Sequence, residues 1–310
     1  MSQQSFFKTN TQYRGRFAPS PSGDLHFGSL VAALGSFLQA KKNDGQWFVR
    51  IEDIDKPREQ LGAAEQILAT LNSFGMHWDT DSLTHSPTDN QRCIVQSQRI
   101  ERYEHVLEHL ITLDRIYACQ CTRKQIKQLG DVYTGTCRDL CLPFKGNALR
   151  VQLPNVITAF EDVLHGMTHS AHSFAHEDFI VKRKDDLFAY QLVVVVDDID
   201  QGITEVVRGA DIMPLTCRQL SLYQLFDVPP PSYLHLPLAV NQSGLKLSKQ
   251  NHASPINSAN PKPELIKAFE FLSLPIHEQL QDLTVDELIL WGIKHWDVSR
   301  LPKQQEIYVP

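Results

Sequence analysis

The apolar spacing along this chain predicts helices and strands in alternation. Residues from Ser29 to Lys41 read as a helix, and Asn43-Asp44-Gly45 ends it with turn chemistry. Gln46 to Glu52 is rich in β-formers and reads as a strand. A helical rhythm carried by Leu61, Ala64, Ile67, Leu68 and Leu71 spans 59–74, and Gly75 closes it. A longer helix is expected from Asn90 to Leu113, with Arg99, Glu101, Arg102 and Glu104 facing water. Residues 148–184 hold short β-like stretches, ALRVQL, VITAF and DFIVKR, between polar turns. The run Leu192–Val196 indicates burial on every side, and periodicity leaves it open between strand and buried helix. Beyond it the pattern predicts a strand at 203–208, a helix at 214–226 and a strand at 235–240. Helices then follow at 264–272 and 284–295, whereas residues 1–12 read as a loose tail.

Ahead of the first helix stands Arg16-Phe17-Ala18-Pro19-Ser20-Pro21-Ser22-Gly23-Asp24-Leu25-His26-Phe27-Gly28-Ser29, a strand end, a stiff loop and a helix mouth. With the strand at 46–52 this makes a βαβ unit, whose ligands gather at the strand C-terminal ends. Pro19 and Pro21 fix φ and remove two amide donors, so the loop is rigid and extended. Gly23 and Gly28 lack a Cβ, which lets a ligand approach the backbone. The helix mouth offers unpaired N–H groups and a positive dipole end, a seat for phosphate, and His26 stands there as a donor. Glu52, Asp53 and Asp55 cluster where the second strand ends, which points to a ligand role rather than loop solvation.

Size and charge narrow the classes. At 310 residues, 42% hydrophobic and 21% charged, the chain reads as an ordinary globular protein of one main domain with small appendages. No apolar run approaches the ~20 residues of a membrane helix, and the polar N-terminus lacks a secretory core, so a cytoplasmic protein away from membranes is expected. A net charge of −6 requires any RNA contact to come from a local patch. Four of six cysteines, Cys119, Cys121, Cys137 and Cys141, fall in one short window between Tyr117 and Phe144. In so small an excursion they suggest zinc, and ligand chemistry alone selects those four thiols. His165, His169, His172 and His176 fit no ligand template and read as surface residues, and Lys182-Arg183-Lys184 reads as a solvated turn with phosphate contact as its alternative.

His26-Phe27-Gly28-Ser29 resembles the HIGH signature of class I aminoacyl-tRNA synthetases, with Ser29 in place of the final His, and RFAPSPSG is similar to their glutamyl/glutaminyl branch. Lys246-Leu247-Ser248-Lys249-Gln250 resembles their KMSKS signature, with Leu for Met and Gln for the last Ser. The resemblance covers roughly residues 13–272 and is strongest to short paralogues of glutamyl-tRNA synthetase. It implies an α/β fold: a Rossmann-type doubly wound parallel sheet with a zinc-bearing insertion and a short helical C-terminal extension. Expected divisions are 1–116 and 185–255 for the two catalytic halves, 117–184 for the insertion, and 256–310 for the extension. The implied glutamate site is Arg16, Phe17, Ala18, Pro19, Ser20, Glu52, Tyr190 and Arg208. The implied ATP site is His26, Gly28, Ser29 and Lys249, with His26, Lys246 and Lys249 acting on the phosphates. The implied zinc set is Cys119, Cys121, Tyr133 and Cys137, so the fourth ligand stays open between Tyr133 and Cys141.

The chemistry of glutamate agrees with that set. Its ammonium suits Glu52, its carboxylates suit Arg16 and Arg208, and Tyr190 can wall the pocket. The resemblance further implies RNA-independent activation of L-glutamate by ATP, with Mg2+ accompanying the nucleotide, and transfer to queuosine in the anticodon of tRNA(Asp). About forty residues follow the helix ending near Leu272, fewer than the roughly 100 of an ordinary anticodon-reading domain. This favours entry of the anticodon loop itself. A monomer is expected. The alternatives are a truncated glutamyl-tRNA synthetase charging the tRNA 3′ end, and a non-catalytic paralogue that binds glutamate or ATP.

Overall fold

A computed structural model describes residues 12–80, 82–83, 93–128, 130–245, 247 and 254–309. Strand β1 (Arg14–Phe17) leads through the proline loop into helix α1 (Phe27–Lys42), and strand β2 (Gln46–Ile51) returns parallel to β1. This is the expected βαβ unit. Helix α2 (Ala63–Ser73) begins later than the pattern predicts, because Gly62 adopts a left-handed φ of 77° at its N-cap. Leu61 therefore falls outside the helix and is fully exposed.

The expected helix from Asn90 is also shorter. Ile94–Val95 form strand β3, parallel to β2, and a 3-10 turn at Gln96–Arg99 precedes helix α3 (Ile100–Thr112). Arg99 and Arg102 do not simply face water: Arg99 Nε donates to Asp197 at 2.7 Å and Arg102 Nη2 to Asp200 at 2.8 Å. Next come β4 (Ile116–Cys119), α4 (Arg123–Gln128) and β5 (Ala148–Val151). The β6–β7 hairpin (Ala159–Asp162, Gly166–His169), α5 (His172–Ala175) and β8 (Ile180–Lys182) follow. Lys182 pairs with Glu104 and Arg183 with Asp55 and Asp185, so two of the three basic residues there are neutralised within the fold. His165 is no plain surface residue, since its Nε2 bonds the His235 carbonyl at 3.0 Å.

The ambiguous apolar run is a helix, α6 (Tyr190–Asp200), buried against α3, β8 and the later α7. Strand β9 (Glu205–Gly209) and a 3-10 segment at Ala210–Leu215 lead into α7 (Thr216–Leu225). The strand expected at 235–240 is two strands, β10 (Ser232–Leu236) and β11 (Leu238–Val240). Pro237 separates them because it has no amide to donate to a ladder. Helices α8 (Pro261–Phe271) and α9 (Val285–His295) pack on α1, and β12 (Glu306–Tyr308) pairs in parallel with β11. The sequence pattern did not predict β12.

Two ladders make the central layer. One has the order β3-β2-β1; the other runs β9-β10-β6-β7 and is parallel except for the β6–β7 hairpin. They abut where the Thr204 amide donates to the Arg14 carbonyl at 2.9 Å, beside the starts of β1 and β9. Alternation along the strands buries both faces. Trp47, Val49, Val207, Leu234 and Leu236 pack with α1, whereas Phe48, Val206 and Tyr233 pack with α7. Gly35 lets α1 settle on β10, since a Cβ there would lie 2.4 Å from Leu236 Cδ1. The result is a mixed α/β unit with parallel, Rossmann-like sheets whose ligand crevice belongs at the β1/β9 junction. Sheet membership crosses the expected 184/185 division, because β6 and β7 join β9 and β10. The small antiparallel sheet β4-β5-β8 stands apart. Among the described residues no helix is long and apolar enough to cross a membrane.

Candidate functional site

At the C-terminal ends of β1, β2, β9 and β10 lies a cleft of about 450 Å³. Its lining includes every glutamate-site residue expected above: Arg16, Phe17, Ala18, Pro19, Ser20, Glu52, Tyr190 and Arg208. It also includes His26, Gly28 and Ser29 at the mouth of α1. Lys246 and Lys249 lie outside the described residues.

The proline loop is held to the strand that follows it. The Pro19 carbonyl accepts from the Glu52 amide at 2.9 Å and that of Pro21 from Gln60 at 2.9 Å. His26 caps α1, its Nδ1 accepting from the Ser29 amide at 3.2 Å. That bond places the ring proton of a neutral His26 on Nε2, 2.9 Å from Ser29 Oγ. Gly28 sits at a close approach: a Cβ would stand 3.1 Å from the Leu247 carbonyl, so the neighbouring chain would have to give by a few tenths of an ångström. On the other side of the lysine loop, Pro255 bridges His26 and the Ile256 amide donates to the Leu25 carbonyl at 3.0 Å.

The acidic cluster divides. Asp53 pairs with Lys56, and Asp55 with Arg58 and Arg183, while Glu52 alone of the three faces the large cleft. Arg50 holds Glu52 at 3.3 Å and Asp198 at 2.8 Å, and Arg16 Nε holds Asp198 at 3.1 Å. Burial dominates at Glu52 and raises its carboxyl to about 7 despite Arg50 and Arg16. At Asp198 burial also raises the carboxyl, but Arg16 and Arg50 together outweigh it and hold Asp198 below the ordinary range. Of these two acids, Asp198 is held ionised by two arginines and is not among the residues lining the cleft, whereas Glu52 lines it with a raised carboxyl.

Arg208 is held differently. Its Nε donates to His235 Nε2 at 3.0 Å, Nη1 to Gln219 at 2.8 Å and Nη2 to Thr216 at 2.8 Å. All three partners are neutral, since burial lowers His235 to about 4. Arg16 is therefore charge-paired inside the protein, whereas the Arg208 guanidinium has no carboxylate partner among the described residues. This contrast, together with Arg50, Asp198 and His235, escaped the sequence reading. The one available signal was Asp197-Asp198 at the end of an apolar run buried on all sides, which forces at least one acid inward.

A Glu52 carboxyl that receives the ammonium of an amino acid must first ionise, so if the cleft takes glutamate in this way, a glutamate-induced thermal shift should grow as pH rises through about 7. The folded value lies above the unfolded one, so the empty pocket loses stability over that rise and a bound ammonium restores it. Glu52→Gln should remove the pH dependence; a variant that retains it would take Glu52 out of the ammonium site.

Near β4, Cys119, Cys121 and Cys137 bring their sulfurs within 4.8 Å of one another. Tyr133 is buried beside them, its hydroxyl accepting from the Cys137 amide at 2.9 Å. Cys141 is exposed and lies outside this group. Three thiols at that spacing match the donor set of a zinc site, and their surroundings contribute no large apolar core. If a metal is held there, chelation should speed proteolysis within 120–142 while leaving the parallel sheets protected. Unchanged cleavage would show the thiols to be simply reduced.

A family profile described as tRNA synthetases class I (E and Q), catalytic domain, matches residues 12–139 and 143–276. A Yersinia pestis protein named glutamyl-Q tRNA(Asp) synthetase is 52% identical over 297 residues, 96% of this chain and 89% of that protein. A Vibrio vulnificus (strain YJ016) protein of the same name is 48% identical over 302 residues, 97% and 95% of the two chains. Among solved structures, a glutamate tRNA ligase from Elizabethkingia meningosepticum in complex with its amino acid superposes with a TM-score of 0.74. It shares 25% identity, and the alignment covers 94% of this chain and 66% of that one.

Proposed function

Since the chain belongs to the glutamate/glutamine group of class I tRNA synthetases and is a ligase-type enzyme of that class, we propose that it activates L-glutamate with ATP, without RNA, and transfers it to queuosine in the tRNA(Asp) anticodon. The observation that carries this reading is a single cleft in which the mouth of α1 meets Glu52, Tyr190 and Arg208. The names of relatives aligned over nearly their whole length support the choice of acceptor.

In this reading Glu52 takes the ammonium of glutamate and Arg208 takes one carboxylate. Tyr190 walls the pocket, and the α-carboxylate attacks the α-phosphorus of ATP, releasing pyrophosphate. No protein nucleophile is needed; orientation and charge neutralisation supply the acceleration. His26, whose Nε2–H would turn from Ser29 Oγ to a phosphate oxygen, the amides at the start of α1 and Lys249 would act on the phosphates, with Mg2+ entering as part of the nucleotide substrate. A hydroxyl of the modified nucleoside then attacks the acyl carbon and AMP leaves. Residues 1–116 and 185–255, with the hairpin strands of 159–169 in the same sheet, would form the catalytic unit, the remainder of 117–184 an insertion with Cys119, Cys121, Cys137 and Tyr133 as zinc ligands, and 256–310 the helical extension. The substrates are those of the cytoplasm.

The test compares labelled glutamate transfer to tRNA(Asp) with and without queuosine, after ATP–pyrophosphate exchange with glutamate alone. Exchange followed by queuosine-dependent transfer is expected. Label mapped to the 3′ end would identify a conventional synthetase, and absence of exchange would identify a binding paralogue.

A further inference from the structure

Behind Arg208 stands a pair of residues that never reaches the cleft. His235 Nδ1 lies 2.7 Å from Asp162 Oδ2, and both side chains are wholly buried. Asp162 is fixed in turn: Oδ1 accepts from the amides of Leu164 and His165 at 3.0 Å each, and Oδ2 from the amide of His235 at 3.2 Å. These bonds decide the tautomer of His235. An ionised Asp162 can only accept, so Nδ1 carries the proton. Nε2 is then a lone-pair acceptor aimed at Arg208 Nε. Burial keeps the ring neutral, lowering it to about 4, so it orients the guanidinium without adding a charge.

We propose that Asp162 and His235 are positioning residues, which hold Arg208 with its charge unneutralised and two N–H groups left for the side-chain carboxylate of the substrate. Guanidinium has five N–H donors, and three are taken by His235, Gln219 and Thr216. A carboxylate can accept both of the remaining bonds and offset the charge, whereas a carboxamide offers one acceptor and no charge. The pair thereby sets the preference for an acidic over an amidated amino acid. Asp162 belongs to β6 and His235 to β10, adjacent parallel strands, so the relay crosses the sheet from the hairpin to the cleft. The inference rests on the cleft being the glutamate site.

Asp162→Asn tests it with almost no change in volume. An asparagine whose Oδ1 keeps the Leu164 and His165 amides must turn its NH2 toward His235 Nδ1. The ring then flips to the Nε2–H tautomer, which opposes the Arg208 Nε–H donor. Losing one charge-assisted bond predicts a rise of about 10- to 100-fold in KM for glutamate, with KM for ATP little changed and discrimination against glutamine reduced. His235→Gln supplies a second arm, because its amide can donate to Asp162 and accept from Arg208; it should restore most of the preference. His235→Leu should not.

Thermal melting establishes that each variant is folded before exchange is measured. A folded Asp162→Asn or His235→Leu with glutamate KM and glutamine discrimination within about twofold of wild type would overturn the proposal. So would equal losses in the Gln and Leu variants. Failure of the wild-type enzyme to exchange with glutamate at all would instead overturn the reading of the cleft.

Discussion

Lys249→Ala is expected to slow glutamate-dependent ATP–pyrophosphate exchange by about 100- to 1,000-fold, with KM for glutamate nearly unchanged. Negative charge builds on the leaving pyrophosphate during adenylate formation, and a lysine there acts on the transition state more than on the bound amino acid. Lys249 lies outside the described residues, but the chain on both sides of it is tied to the mouth of α1. The Leu247 amide donates to Ala239 at 2.7 Å, its carbonyl abuts Gly28, and Pro255 bridges His26. Seven residues, 248–254, separate these anchors. Single-turnover measurement of AMP-glutamate formation isolates the step. A folded variant at the wild-type rate would remove this loop from the chemistry.

Asp198→Asn is expected to cost about 3–5 kcal/mol of folding stability. The substitution keeps the shape, so the loss is electrostatic rather than a cavity. Asp198 accepts from Arg16 and Arg50, two buried guanidinium groups, and its removal leaves Arg16 without its carboxylate partner. Arg50 keeps Glu52 at 3.3 Å and Asp197 at 3.6 Å, but burial raises both of those acids, so neither is a full replacement. The folded-state value of Asp198 is lowered, so its contribution is present above the ordinary aspartate range and lost as pH falls through the folded value. Urea unfolding should therefore show the largest difference from wild type near neutrality and a smaller one in acid. A difference below about 1 kcal/mol at neutral pH would mean that water or rearranged acids neutralise both arginines.

How much could be read from the residues alone depended on distance along the chain. The unit from Arg14 to Ile51 was legible because its signals are local: a β-former run, two prolines and an Asn-Asp-Gly turn within forty residues. Glu52 followed from it, being the first residue past the second strand. Leu61 was misplaced because a helical rhythm cannot reveal that Gly62 turns left-handed. The Asn90 boundary failed for a related reason, since Ile94–Val95 become a strand only through pairing with Arg50 and Ile51. Arg99 and Arg102 looked solvated because their acids lie about a hundred positions away, at Asp197 and Asp200.

The residue types alone determined the chemical vocabulary of this protein: a helix mouth suited to phosphate, an acid at a strand end, four cysteines in one short window and the strand-helix alternation that buries both faces of a sheet. Only the folded chain decided which charges are spent and which are left over. Arg16 and Arg208 are equivalent as letters, yet one is neutralised by Asp198 and the other rests on His235, Gln219 and Thr216. Hydrophobic periodicity reports which side of an element is buried, but the partner of a buried charge is chosen by chain closure over long separations, and that choice leaves Arg208 on three neutral partners with no carboxylate beside it among the described residues.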